Sequence, residues 1–150
     1  KFRTYDTLLA RITPCLENGK TGMVDDLLGQ LVGWGSTEFI VLRARPNVPA
    51  SLPYCIARDN SFRDEAIATM TGSSGRQRAD AKGISHIKCV IPPEGVVQAF
   101  AGWTMPIIEH CHQIGRENRS LASLRDALLP KLMSGELRVG EARNQNEAVA

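Results

Sequence analysis

The residues that most constrain this chain are Pro92 and Pro93, because the apolar pattern changes character there. Ahead of them, turn signals break the sequence every few residues. From Val96 to Met133 no strand-like alternation remains, and apolar residues recur at helical spacing. Cys111, Ile114, Asn118, Leu121 and Leu128 fall at alternating steps of three and four, with Arg125 in the intervening slot and Leu124 beside the seam. This short heptad pattern puts Asn118 at a core position, where an amide costs stability but fixes register and partner number. Such a helix can dock on its own domain as a plain amphipathic helix, or it can pair with another helix; the heptad spacing favours pairing. Ile107 joins Cys111, Ile114, Asn118, Leu121, Leu124 and Leu128 as a helix-pairing candidate. Pro106 predicts a kink or a fresh helix start. Pro130 and Gly135 are expected to end the helix, and the polar tail after Val139 to fray.

The expected fold class is therefore α+β. A mixed α/β module occupies residues 1–93, a long helix forming a coiled-coil arm spans 94–134, and a tail covers 135–150. Within the module, Thr7 to Thr13 reads as a short strand stopped at Pro14. Asn18-Gly19 is a turn, and Gly22-Met23-Val24 begins a return strand. Gly33-Trp34-Gly35-Ser36 is a second turn, and Thr37 to Ala44 is the best strand in the chain. Pro46, Pro49 and Pro53 make a loop with no helix interior. Leu52, Cys55 and Ile56 are spaced for a helix, and Ser61 can cap another with Phe62, Ala66, Ile67 and Met70 inward. Thr71-Gly72-Ser73-Ser74-Gly75 ends that helix. Ile84, Ile87 and Val90-Ile91 suggest a further strand.

Composition narrows the function. The 150 residues are 43% apolar with a net charge of +2, which excludes a disordered chain and one that coats nucleic acid by charge alone. A local basic face remains compatible with nucleic-acid binding. No apolar run is long enough to span a membrane, and the first residues lack a secretory signal, so a cytoplasmic protein is expected. Cys15, Cys55, Cys89 and Cys111 include no CxxC pair and read as reduced thiols. His110-Cys111-His112 is a poor metal site, because neighbouring helical residues do not share a face; no metal is expected.

Glu17-Asn18-Gly19-Lys20-Thr21 has the end of a phosphate-binding loop without its first glycine, since Pro14 stands there. Lys20 is better placed to meet a DNA phosphate or solvent. Gly72-Ser73-Ser74-Gly75-Arg76-Gln77-Arg78 is the most suggestive stretch. Its backbone can approach a phosphate closely, while Arg can address guanine and Gln adenine through paired hydrogen bonds. With Lys82 and Lys88, and Asp80 opposing, residues 76–88 carry a net +3. No nucleophile–base–acid set or paired-carboxylate signature is present, so no catalytic residue is assigned.

Four segments in order resemble one family: Leu8 to Thr21, Gly33 to Arg43, Met70 to Arg78, and Glu117 to Val139 (ENRSLASLRDALLPKLMSGELRV). From about Leu8 to Val139 the chain resembles the C-terminal part of a specificity subunit of type I restriction–modification systems. The resemblance implies part of a DNA target recognition domain over 1–93, followed by a spacer helix. It implies double-stranded DNA as a partner, one half of a bipartite site being gripped, and methyltransferase subunits docked on the helix with a restriction subunit in the full complex. It also implies a non-catalytic chain with no cofactor of its own, S-adenosylmethionine, ATP and Mg belonging to the partner subunits. Arg11, Lys20, Arg76, Gln77, Arg78 and Lys82 are the expected DNA contacts. The family's recognition domain is usually longer, so a portion is expected to be missing ahead of Lys1. Bipartite recognition would then need a homodimer through the helix or a second module. The alternative is a truncated fragment that binds partner helices as a protein–protein scaffold and does not itself recognise DNA.

Overall fold

A computed structural model describes residues 1–138 apart from Asp26, Leu28, Gly29 and Ser74. The fold is α+β with a long C-terminal helix. Strands β1 (Thr7–Ala10), β2 (Thr21–Met23) and β3 (Phe39–Leu42) form an antiparallel sheet in the order β2-β1-β3. Thr7 lies opposite Met23 on one side and Leu42 on the other, so β1 is the central strand. Alternation along β1 turns Thr7 and Leu9 inward, at 0% and 1% exposure.

Helices α1 (Ser51–Arg58) and α2 (Asn60–Ala68) follow. Leu9, Leu16, Ala57, Phe62, Ala66, Ala79 and Ile84 form the core cluster. Three of these are alanines, Ala57 on α1, Ala66 on α2 and Ala79 farther along the chain, and their small size lets those backbones approach closely. Pro53 sits in the first turn of α1, correcting the expectation of a loop free of helix. A first-turn N–H has no helical acceptor, so proline loses nothing there. The cap of α2 is Asp59, whose carboxylate accepts the Phe62 N–H at 3.1 Å, and not Ser61. The cap position lies two residues earlier than the periodicity suggests, and Asp fills it well.

Beyond α2 the chain forms a hairpin that sequence periodicity missed. β4 (Met70–Thr71) pairs with β5 (Arg78–Ala79), carrying the Gly/Ser-rich segment as its loop. Two-residue strands are too short for an alternation to be visible. The strand expected over Ile84–Ile91 is absent. Ile84 lies in α3 (Ala81–Ser85), which Asp80 caps by accepting the Gly83 N–H at 3.0 Å. Ile84 and Ile87 are three apart and both pack on the core, whereas Val90 and Ile91 are exposed.

Helix α4 runs unbroken from Glu94 to Met133. Pro106 lies inside it and does not start a new helix. The ring removes one hydrogen bond, to the Gly102 carbonyl, from a helix forty residues long. Pro130 lies within its last turn. Gly135, at φ 75°, turns the chain away, and the Leu137 N–H donates back to the Lys131 carbonyl at 3.0 Å. The tail expected to fray, residues 139–150, falls outside the described residues.

Contacts divide the chain into two compact units, Lys1–Ile108 and a second beginning at Glu109. In the first, α4 buries Val97, and the Thr104 hydroxyl donates to the Ser51 hydroxyl at 2.7 Å. No helix among the described residues is long and apolar enough to cross a membrane.

Candidate nucleic-acid interface

The β1–β2 connection is held from inside and outside. Leu16 is fully buried beneath it, and N–H groups of Leu16, Asn18, Gly19 and Lys20 donate back to carbonyls of Ile12, Pro14, Leu16 and Cys15. Gly19 adopts φ 65°, the left-handed conformation that glycine takes without strain. The turn therefore presents Lys20 in one fixed position, with its own carbonyl accepting the Ala10 N–H at 3.1 Å.

The far end of β1 joins two other segments. The Arg11 N–H donates to the Glu38 carbonyl at 3.0 Å, and the Arg11 carbonyl accepts the Ala79 N–H at 2.8 Å. Thr13 donates to the Gln77 carbonyl at 3.0 Å, and Ile12 forms a bridge with Arg78. The hairpin β4–β5 is thereby tied to the end of the sheet. Arg11, Lys20, Arg76, Gln77 and Arg78, which span 68 positions in sequence, gather around that end. Arg76 and Lys20 are exposed, while Arg11 and Gln77 are half-buried. Lys82 is exposed on α3, and no hydrogen bond joins its side chain to the others among the described residues.

Three further residues at this site carried no sequence signal. Glu38 takes Arg78 side-on: Nε donates to Oε2 at 2.9 Å and Nη2 to Oε1 at 2.8 Å. The Arg78 hydrogen bonds, reinforced by the charges of Arg78 and Arg11, hold the Glu38 carboxyl below its ordinary pKa against a smaller opposing effect of desolvation. Arg78 is correspondingly pushed up, first by that hydrogen bond and then by the Glu38 charge. The local +3 read from residues 76–88 is thus reduced by an acid forty positions away. Arg58, at the end of α1, lines a shallow depression with Asn18, Gly19, Lys20, Gly22 and Glu38. The Arg63 guanidinium lies over Gly19, so close that a Cβ there would meet Nη1 at 2.7 Å. Lys20, Arg58 and Arg63 come from three elements and flank one glycine turn. Only a tertiary structure could bring them together.

The helix-pairing candidates all lie on α4. Counting back along the heptad, Val97, Phe100, Thr104 and Ile107 precede Cys111, Ile114, Asn118, Leu121 and Leu128 on one stripe. Within the first unit the start of that stripe is covered, with Val97 at 5% exposure. Farther along, Ile107 and Leu121 are each 62% exposed, Ile114 43% and Leu124 41%. Cys111 and Asn118 are exposed as well, and Leu128 is half-buried. The four cysteines are free thiols. No three His, Cys, Asp or Glu residues stand together as a metal site among the described residues.

Comparison with known proteins bears out the family resemblance. Over 126 residues the chain is 32% identical to the specificity subunit of the type I restriction enzyme EcoEI of Escherichia coli, a match covering 82% of this chain and 20% of that protein. It is 42% identical over 52 residues to the MjaIX specificity subunit of Methanocaldococcus jannaschii, covering 35% of this chain and 12% of that one. The chain thus spans about a fifth of the first relative's length. No family model matches, and no solved structure matches.

Proposed function

The chain carries a segment related to the specificity subunits of type I restriction enzymes, and from that premise we propose that it is a non-catalytic DNA-recognition component. The observation that carries this reading is the gathering of Arg11, Lys20, Arg76, Gln77 and Arg78 at one end of the sheet. In this reading Lys20, Arg58 and Arg63 grip phosphates at the glycine turn, and Arg76 and Lys82 are further phosphate contacts. Phosphate contacts of this kind supply affinity and register, leaving base edges to a few well-held side chains.

In this reading residues 1–93 grip one half of a bipartite site, and the helix over 94–134 sets the distance to a second module. The stretch from Ile107 to Leu128 is about 32 Å long, close to the ~34–36 Å between half-sites one DNA turn apart. Pairing of its exposed stripe with a second helix, from another module or from a second copy of this chain, covers Ile107, Ile114 and Leu121 and gives Asn118 its register role. Methyltransferase subunits dock on the helices and carry S-adenosylmethionine. ATP and Mg likewise belong to partner subunits and not to this chain, and the assembly works in the cytoplasm.

The test is a titration of the chain against duplex DNA, with and without methyltransferase subunits. Binding that weakens as salt rises supports the reading. No binding at low salt under either condition refutes it and leaves a scaffold acting through the helix alone.

A further inference from the structure

We propose that Arg78 reads a guanine base, and that Glu38 is the positioning residue that makes it a base reader and not a phosphate anchor. This rests on the DNA reading above. Both carboxylate oxygens of Glu38 are spent on one edge of the guanidinium, Nε and the near side of Nη2. The end of the fork, formed by the outward N–H groups of Nη1 and Nη2, is left open. Nη1 donates to the Arg76 carbonyl at 3.5 Å, a long and weak hydrogen bond. The side chain is 44% exposed, so a ligand can reach that end.

The backbone beneath is fixed on both sides. Arg78 pairs with Thr71 across the hairpin and bridges Ile12 at the end of the sheet. The guanidinium is therefore held at its root by two strands and along its edge by a carboxylate, and little rotamer freedom remains to be lost on binding.

Charge selects the ligand. The Arg78–Glu38 pair is by itself net neutral, and the Arg11 charge that also acts on Glu38 belongs to a half-buried side chain, so Arg78 gains less from a phosphate than an unpaired arginine does, and the Glu38 carboxylate repels an anion that approaches it closely. A neutral acceptor pair meets no such repulsion. Among the bases, guanine alone offers two adjacent major-groove acceptors, O6 and N7, that match the open fork. Adenine places a donor beside N7, and cytosine presents a donor amine. Lys20, Arg58 and Arg63 lack a carboxylate held in this way among the described residues, and they remain phosphate contacts.

The experiment selects duplexes from a library with a randomised segment, using the whole chain, and then replaces the enriched guanines one at a time with 7-deazaguanine, which lacks N7. The expected result is an enriched guanine whose replacement weakens binding about tenfold, the loss of one of two hydrogen bonds in a bidentate pair. Arg78→Lys abolishes the preference at that position alone, because an ammonium cannot make the paired contact. Glu38→Gln blunts it several-fold, whereas Lys20→Ala weakens all sequences alike. DNA binding with no guanine enriched overturns the proposal, as does a guanine preference that survives Arg78→Lys or is indifferent to 7-deazaguanine. Those outcomes leave the DNA-binding function standing. Absence of binding to any duplex at low salt overturns that function and this inference with it. The 7-deazaguanine arm changes only the DNA, so it holds even where Glu38→Gln perturbs the fold.

Discussion

The salt dependence of DNA binding follows from which cations the structure leaves uncompensated. Arg78 is matched by Glu38 and Arg43 by Asp6, so neither adds to the net phosphate count. Lys20, Arg58, Arg63, Arg76 and Lys82 are among the cations without a carboxylate partner in the described residues, and in this reading they are the ones that displace counterions. If they meet about five phosphates, the logarithm of the association constant falls with the logarithm of salt at a slope of about −4.5. Between roughly 50 and 200 mM salt, affinity then drops about 500-fold. Fluorescence anisotropy of a labelled duplex across that range measures the slope directly. Removing Lys20 or Arg76 by substitution with Ala makes it shallower by about 0.9 each. Arg78→Ala leaves it nearly unchanged, because deleting half of a neutral pair frees Glu38 without removing a phosphate contact. A wild-type slope shallower than about −2, or a Lys20→Ala slope equal to the wild type, refutes the assignment of these side chains to phosphates.

Three further outcomes follow from the core, the Asp6–Arg43 ion pair and the seam. Leu16→Ala removes a fully buried side chain from a core cluster that holds Ala57, Ala66 and Ala79, and alanines cannot extend into the space left, so a loss of about 3–4 kcal/mol is expected in urea unfolding. Less than about 1 kcal/mol would show that Leu16 is not a core anchor of the Lys20 turn. Burial alone pushes the Asp6 carboxyl up, but the Arg43 hydrogen bonds at 2.6 and 2.8 Å, the Arg3 N–H and both arginine charges outweigh it and set its pKa below the ordinary value. Its contribution to stability is accordingly complete above the ordinary carboxylate pKa and is lost as pH falls through the depressed one. Asp6→Asn should lower the urea midpoint at neutral pH and flatten its decline in acid; an unchanged acid limb would refute this. Sedimentation of Asn118→Leu should reveal association states that the wild type lacks, and identical states would remove Asn118 from any register role.

Local chemistry was readable where a residue's role depends on its neighbours in sequence. The turn at Asn18-Gly19, the strand at Phe39–Leu42 and the helix beginning after Pro93 belong to this class. Misreadings came where two periods compete over a short span. Ile84 to Ile91 offered both a strand and a single helical turn, and packing of Ile84 on the core decided for the turn. Pro106 offers a fresh helix start because its local cost is real, yet the helix continues through it. The hairpin β4–β5 carried no readable pattern at all.

By itself, the sequence determined the division at Pro92-Pro93, the heptad stripe with its buried-type Asn118, the basic character of residues 76–88 and the family resemblance. Each depends on order and spacing along one segment. Tertiary structure alone decided that Glu38 meets Arg78, that Arg58 and Arg63 flank the turn bearing Lys20, and that Asp6 is neutralised by Arg43. These are contacts between side chains that chain order holds apart. Their partners are chosen by antiparallel pairing and by the close packing that the core alanines permit, and a charge in sequence says nothing of which opposite charge the fold will set beside it.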